Sequence, residues 1–375
     1  PLRPLDLALR LPPSFILGVG RDALRRLWAR RPRNGTETFE SVMRESVGNT
    51  IGDHFYFPYA RKIWGLEPGE LSPIQARRRV SAGSLTALVK KATSGLRPSA
   101  GPAGRSFFYP RRGFGQIATA YGVAAERSGA TLLRGASVTR VTRTGGIWRV
   151  DFEHPGGARF VEADQIWSTI PLTALVRSLH PPAPQGVLES AGAISFRAMI
   201  LIYLVLARPR FSEFDAHYFP GPDVALSRLS EPRNYSAAVE PRDRTVLCGE
   251  LPCSPQGRLW SLSDEELGRE MIRALDRADL PPGSGVTQVV TRRLRHAYPI
   301  YELGYERHFD RLQSWIDAQD NLISFGRQGL FAHDNTHHAL RMAYAAGDCL
   351  DDRGHFDRAR WRRCLEEFKS HVVED

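Results

Sequence analysis

Asn321–Ala345, NLISFGRQGLFAHDNTHHALRMAYA, passes from a strand through a Gly-Arg turn into a polar loop and then a helix. Asn321–Phe325 alternates and is β-prone, and Gly326 and Gly329 free the backbone for a close approach. Asp334–His338 sets small polar caps at the start of a helix carrying Ala339, Leu340, Met342 and Ala343. A helix N-terminus offers unpaired N–H groups and a partial positive charge, which suits a phosphate. The same pattern also occurs with no ligand.

The 375 residues suffice for two domains, at ~100–200 residues per domain. A hydrophobic content of 42% and a charged content of 25% are those of an ordinary globular protein with a large core. The net charge of +10 comes mostly from arginine, as at Arg25-Arg26, Arg77–Arg79 and Arg292-Arg293. Arginines scattered without an aromatic interleave or a recognised module do not make a nucleic-acid interface. Contact with a membrane surface stays open. Cys248, Cys253, Cys349 and Cys364 lack CxxC or metal spacing and read as structural thiols of a reducing, cytoplasmic compartment. The apolar run Ala198–Ala207 is about half the ~20 residues of a membrane helix and reads as a buried strand.

Along the chain, helices are expected at Asp22–Arg31, Thr36–Gly48 and His54–Trp64, and a Pro-, Gly- and Ser-rich loop at 94–106. A helix at Gln116–Ser128 precedes strands at Thr131–Arg134, Ser137–Thr142, Ile147–Glu153, Ala158–Ala163 and Gln165–Ile170. Strands follow at Ala198–Ala207 and Val246–Leu251, then a helix opened by the capping box Ser263-x-x-Glu266.

Several segments resemble, in order, the FAD-dependent amine oxidase superfamily, in the branch of protoporphyrinogen oxidase-like and UDP-galactopyranose mutase-like proteins. The Gly326-Arg327-x-Gly329 turn with its polar loop and small-residue helix resembles the C-terminal flavin motif. Pro58-Tyr59-x-x-Lys62-x-Trp64-Gly65 resembles a segment over the substrate side, and Tyr109-Pro110-x-x-Gly113-x-Gly115 a turn into a helix. Gly135–Val141 resembles the strand that holds adenine, Ser168-Thr169-x-Pro171 the strand end passing the dinucleotide, and Tyr298-Pro299-x-Tyr301 the segment leading to the flavin.

The resemblance implies an α/β plus α+β architecture. An FAD-linked Rossmann-type domain would lack its first βαβ unit and be joined to a separate α+β substrate domain. Its segments would be an N-terminal helical region over the substrate side (1–106), a helix and β-meander (107–171), the α+β domain (172–320), and a return with C-terminal helices (321–375). FAD would meet Val138, Thr169, Gly326, Arg327, Asn335, Thr336 and His337. A small-molecule substrate would meet Lys62, Trp64, Arg228, Tyr298 and Tyr301. Catalytic side chains are not identified, because a flavin carries the hydride chemistry itself.

Two departures stand out. No GxGxxG lies between a strand and a helix, and Gly18-Val-Gly20 is no substitute for it. His337 stands where relatives usually carry an acid. Other readings remain: Arg327 as a surface ion pair, Lys62, Trp64, Tyr298 and Tyr301 as packing, and His333, His337 and His338 as a metal set, against which no metal is expected. Ala346-Gly347-Asp348 reads as a helix end. The function implied is hydride abstraction from an amine or an apolar, porphyrin-like substrate. The alternatives are a non-redox nucleotide-sugar mutase, or an inactive fragment lacking its dinucleotide-binding half.

Overall fold

The computed structural model describes residues 11–28, 36–80, 108–236 and 241–371. The loop expected at 94–106 lies outside them. Pro13 opens helix α1 (Pro13–Trp28), which starts well before the predicted Asp22 and runs through Gly18 and Gly20. A Cβ on Gly18 would stand 2.6 Å from Thr50 Oγ1. Glycine there admits a close neighbour, and Asp22 accepts the Thr50 N–H at 2.6 Å. Helix α2 (Phe39–Val47) is capped by Thr38 and Ser41 and buries Phe39, Val42, Met43 and Val47. A π-turn at Gly52–Tyr56 leads into α3 (Phe57–Trp64), which ends at left-handed Gly65. Helix α4 (Pro73–Val80) follows, and α5 (Gln116–Arg127) buries none of its residues.

Strands β1 (Ser137–Thr144), β2 (Ile147–His154) and β3 (Gly157–Ala163) form the expected antiparallel meander. Thr131–Arg134 is irregular rather than a strand. Leu132 and Leu133 are 40% and 47% exposed, so the alternation there has no apolar face to bury against. Strand β4 (Ile166–Ser168), helix α6 (Leu172–Ser178), strand β5 (Leu179–His180) and helix α7 (Gln185–Ala193) come next. They lead into the long strand β6 (Ser195–Leu206), then β7 (Ala216–Tyr218), β8 (Arg228–Ser230) and β9 (Thr245–Cys253). Helix α8 (Asp264–Arg277), strand β10 (Val286–Ile300), helix α9 (Tyr305–Asp317), strand β11 (Leu322–Ser324) and helices α10 (Thr336–Gly347) and α11 (Arg358–Phe368) complete the order.

The chain forms two compact units, one drawn from Pro1–Ala130 and Arg197–Ala297, the other from Thr131–Phe196 and Tyr298–Asp375. This division differs from the segments read in the sequence: α5 groups with the first unit, and α6, α7 and α9 with the second. The reason lies in packing, since α7 and α9 lie against each other and α6 against β1. In the first unit a five-stranded sheet, β10-β6-β9-β8-β7, carries α8 on one face. The amphipathic stripe Leu267, Met271 and Leu275 meets Ile200, Ile202 and Leu251 there, and Gly268 lets the helix approach Val289. The second unit holds the sheet β3-β2-β1-β5 and the parallel pair β11-β4. Its core joins Ile323, Phe325, Met342, Trp361 and Phe368.

Candidate functional site

In the second unit β11 pairs in parallel with β4, placing Ser324 opposite Ser168 and bringing two strand ends together. Phe325 N–H donates to the Ser168 carbonyl at 3.0 Å. Gly326 then turns with φ +81°, a left-handed value that an L side chain takes only with strain. A Cβ on Gly326 would touch the Thr169 methyl at 3.6 Å, so these two predicted cofactor residues are neighbours. Gly326–Gly329 is a single helical turn rather than an open loop. Gly329 is needed for the protein's own packing, since a Cβ there would lie 2.9 Å from Ser324 Oγ.

Arg327 lies with its guanidinium 5.4 Å from the Tyr298 ring centre and donates to the Asp334 carbonyl. Tyr298 is in turn stacked on His333 at 5.0 Å. Asn335 caps α10 in a capping box with His338, and Thr336 and His337 are exposed in its first turn. Thr169, Gly326, Arg327, Asn335, Thr336 and His337 thus come from one strand end and one contiguous turn-loop-helix. Val138 sits on a different element, β1, and is 45% exposed. Tyr301 is 1% exposed, its hydroxyl donating to the Phe331 carbonyl at 2.8 Å and accepting the His333 N–H at 2.9 Å. That is the packing reading of Tyr301.

The histidines regroup. Asp334, His338 and His371 bring possible ligand atoms within 4.8 Å of one another, a set in which only His338 belongs to the sequence trio. His371 Nδ1 lies 2.8 Å from Asp334 Oδ2, while His338 Nδ1 accepts the Asn335 N–H at 3.2 Å. An Nδ1 that accepts keeps the ring proton on Nε2, so the neutral ring has no lone pair left for a cation. The cluster reads as a hydrogen-bonded brace behind the helix start. His371 was missed because it is far from the loop in sequence.

In the first unit Lys62 donates to the carbonyls of Phe219, Gly221, Val224 and Leu226, binding α3 to the loop before β8. Burial depresses its ammonium pKa to about 8, opposed by the charge of Asp223. Trp64 is 1% exposed and packs edge-on to Phe39. Arg228 pairs with Glu250; burial works against the guanidinium charge, but the carboxylate outweighs it and raises the pKa. Lys62, Trp64 and Arg228 therefore all have intramolecular partners.

No family model matches the chain, and no curated protein matches it. Solved structures do. A reduced UDP-galactopyranose mutase superposes with a TM-score of 0.67 at 18% identity, over 85% of this chain and 67% of the other. A protoporphyrinogen oxidase candidate from Exiguobacterium sp. 255-15 gives 0.61 at 16% identity, over 85% and 68%. Cyclohexylamine oxidase from Brevibacterium oxydans IH-35A gives 0.52 at 13% identity, over 86% and 71%. The chain has the fold shared by these oxidases and the mutase. The motifs at Lys62–Gly65, Gly135–Val141, Thr169 and Gly326–Arg327 were read as resembling that same group.

Proposed function

We propose that this chain forms the greater part of an FAD-dependent oxidoreductase of the amine oxidase type, acting on a small-molecule substrate. The observation that carries the reading is the junction of β4 and β11. There a left-handed glycine lies against Thr169 and is followed by Arg327 and the exposed first turn of α10. Apart from Val138 on β1, these are the residues expected to meet the cofactor. The chemistry of the donors fits a dinucleotide: a guanidinium fork suits phosphate or ring oxygens, and a helix N-terminus suits negative charge. FAD, once bound, supplies hydride acceptance. Arg327, Thr169 and Thr336 would then bind and orient it, and Val138 would lie along its adenine end. His337 would present a neutral or cationic ring at the helix start where relatives carry a carboxylate.

The mutase structure superposes at 0.67 against 0.61 and 0.52 for the oxidases, which keeps a non-redox nucleotide-sugar mutase as the second reading. Both need the flavin. The test is bound flavin per mole of purified protein, read from the absorbance band near about 450 nm. Stoichiometric flavin that is lost on R327A supports the site, and protein refolded with excess FAD that stays colourless refutes it. Turnover of an amine with reduction of the band, set against isomerisation by the reduced protein, separates the two readings.

A further inference from the structure

Several arginines of the first unit are held in ion pairs: Arg44 with Glu40 and Asp53, Arg61 with Glu67, Arg228 with Glu250, and Arg258 with Glu270. Arg197 is not. It opens the first unit's share of β6, half-buried, and no carboxylate among the described residues lies within ion-pair distance. Among the described residues its one hydrogen bond runs from Nη2 to the Lys62 carbonyl at 3.5 Å, the long limit for such a bond. Nε is sealed from solvent without a partner, whereas Nη1, also without one, is not sealed. Burial depresses its pKa, opposed by the thiol of Cys253.

The neighbouring backbone is shaped for this guanidinium. Gly65 takes φ +73° just after Trp64, and a Cβ there would stand 2.9 Å from Arg197 Nη1 and 3.1 Å from Cζ. The bland account is a cation at the C-terminal end of α3. That account uses one N–H donor and leaves the sealed Nε without a partner and the open Nη1 free to meet a ligand.

We propose that Arg197, lying against the Lys62–Gly65 turn, anchors an anionic group of the substrate, a carboxylate or a phosphate. The assignment rests on reading the Lys62–Gly65 segment as the substrate side, and it selects among substrate classes. An amine is a cation near neutral pH and is repelled by an uncompensated guanidinium, whereas a carboxylate or phosphate oxygen completes its hydrogen bonds. Arg228, the arginine expected to meet the substrate, is already neutralised by Glu250.

The experiment is calorimetric titration of the whole chain with inorganic pyrophosphate, with succinate and with putrescine, on wild type, R197Q and R197K. Flavin content and melting temperature are recorded on the same samples. At least one anion binds saturably, putrescine does not, and the affinity falls at least about tenfold in R197Q and by less in R197K. The arm that binds distinguishes phosphate from carboxylate. A guard against a variant that misfolds is phenylglyoxal labelling of wild type mapped by mass spectrometry, in which the anion slows modification of Arg197. Equal affinity in folded R197Q, absence of saturable binding by either anion, or no protection of Arg197 overturns the proposal. Protein that lacks flavin yet binds the anion through Arg197 refutes the flavin reading and leaves the anchor standing.

Discussion

The hydroxyl of Tyr301 donates to the carbonyl of Phe331 across 2.8 Å. Phe331 is itself held at φ +49°, in the left-handed region that a bulky residue rarely enters, while 2% exposed. Tyr301 also accepts the N–H of His333 at 2.9 Å, so one phenol pins both sides of Ala332. This fixes the approach to Asp334 and Asn335, and through them the start of α10.

Tyr301→Phe removes both bonds with little change in volume. The expected loss is about 1–3 kcal/mol in urea unfolding, as for buried polar groups deprived of a partner. A loss below a few tenths would mean that the aromatic packing around Phe331 holds the segment unaided.

Gly326→Ala places a side chain at φ +81° with only ordinary contact to Thr169. Backbone strain, not collision, sets the effect at about 1–2 kcal/mol. Melting temperature and flavin content should fall together. A stable variant with full flavin would show that the turn does not shape the site.

Glu231 is 2% exposed and accepts from Phe211 N–H, Ser212 N–H, Thr245 Oγ1 and Asn234 Nδ2. Glu231→Gln turns one acceptor into a donor facing other donors. Denaturation of this variant should show a loss on the order of 2 kcal/mol.

Gly268→Ala drives a Cβ to 2.7 Å from a Val289 methyl. Helix α8 must shift off β10, at about 1–3 kcal/mol. Val289→Ala in the same chain should restore part of the loss, measurable as a double-mutant cycle.

Burial, with Glu250 adding to it, pushes the Cys248 thiol up to about 11. Only the thiolate is alkylated, so iodoacetamide labelling of Cys248 should be slow at neutral pH. The rate should climb about tenfold per pH unit until near 11. Fast labelling at pH 7 would show that β9 opens readily.

The elements with strong periodicity were legible: the stripe of Phe39, Val42, Met43 and Val47, the meander turns at Gly145-Gly146, and the capping box at Ser263. Periodicity carries that information within a few residues. The early start of α1 was not legible, because the reason for Gly18 is its contact with Thr50, remote in sequence. At the site, Gly326, Arg327 and Asn335 were recognisable as a contiguous motif. Lys62, Arg228 and Tyr301 were ambiguous because their partners, the carbonyls before β8, Glu250 and Phe331, are remote in sequence. Arg197 was passed over for the same reason in reverse. An arginine beside AMILIYLVLA carries no mark of the missing carboxylate.

The parallel pairing of Ile166–Ser168 with Leu322–Ser324 also sets a schedule for synthesis. At roughly 5–20 residues per second, β4 leaves the ribosome about 10–30 s before β11, the strand it pairs with among the described residues, exists. For most of that interval the first unit's Arg197–Ala297 is being made. The nascent second unit therefore has to wait with Trp167 unpaired, and its closure falls after the first unit has all its strands. Chaperone demand should concentrate in that interval, and a circular permutant that brings β11 next to β4 should relieve it.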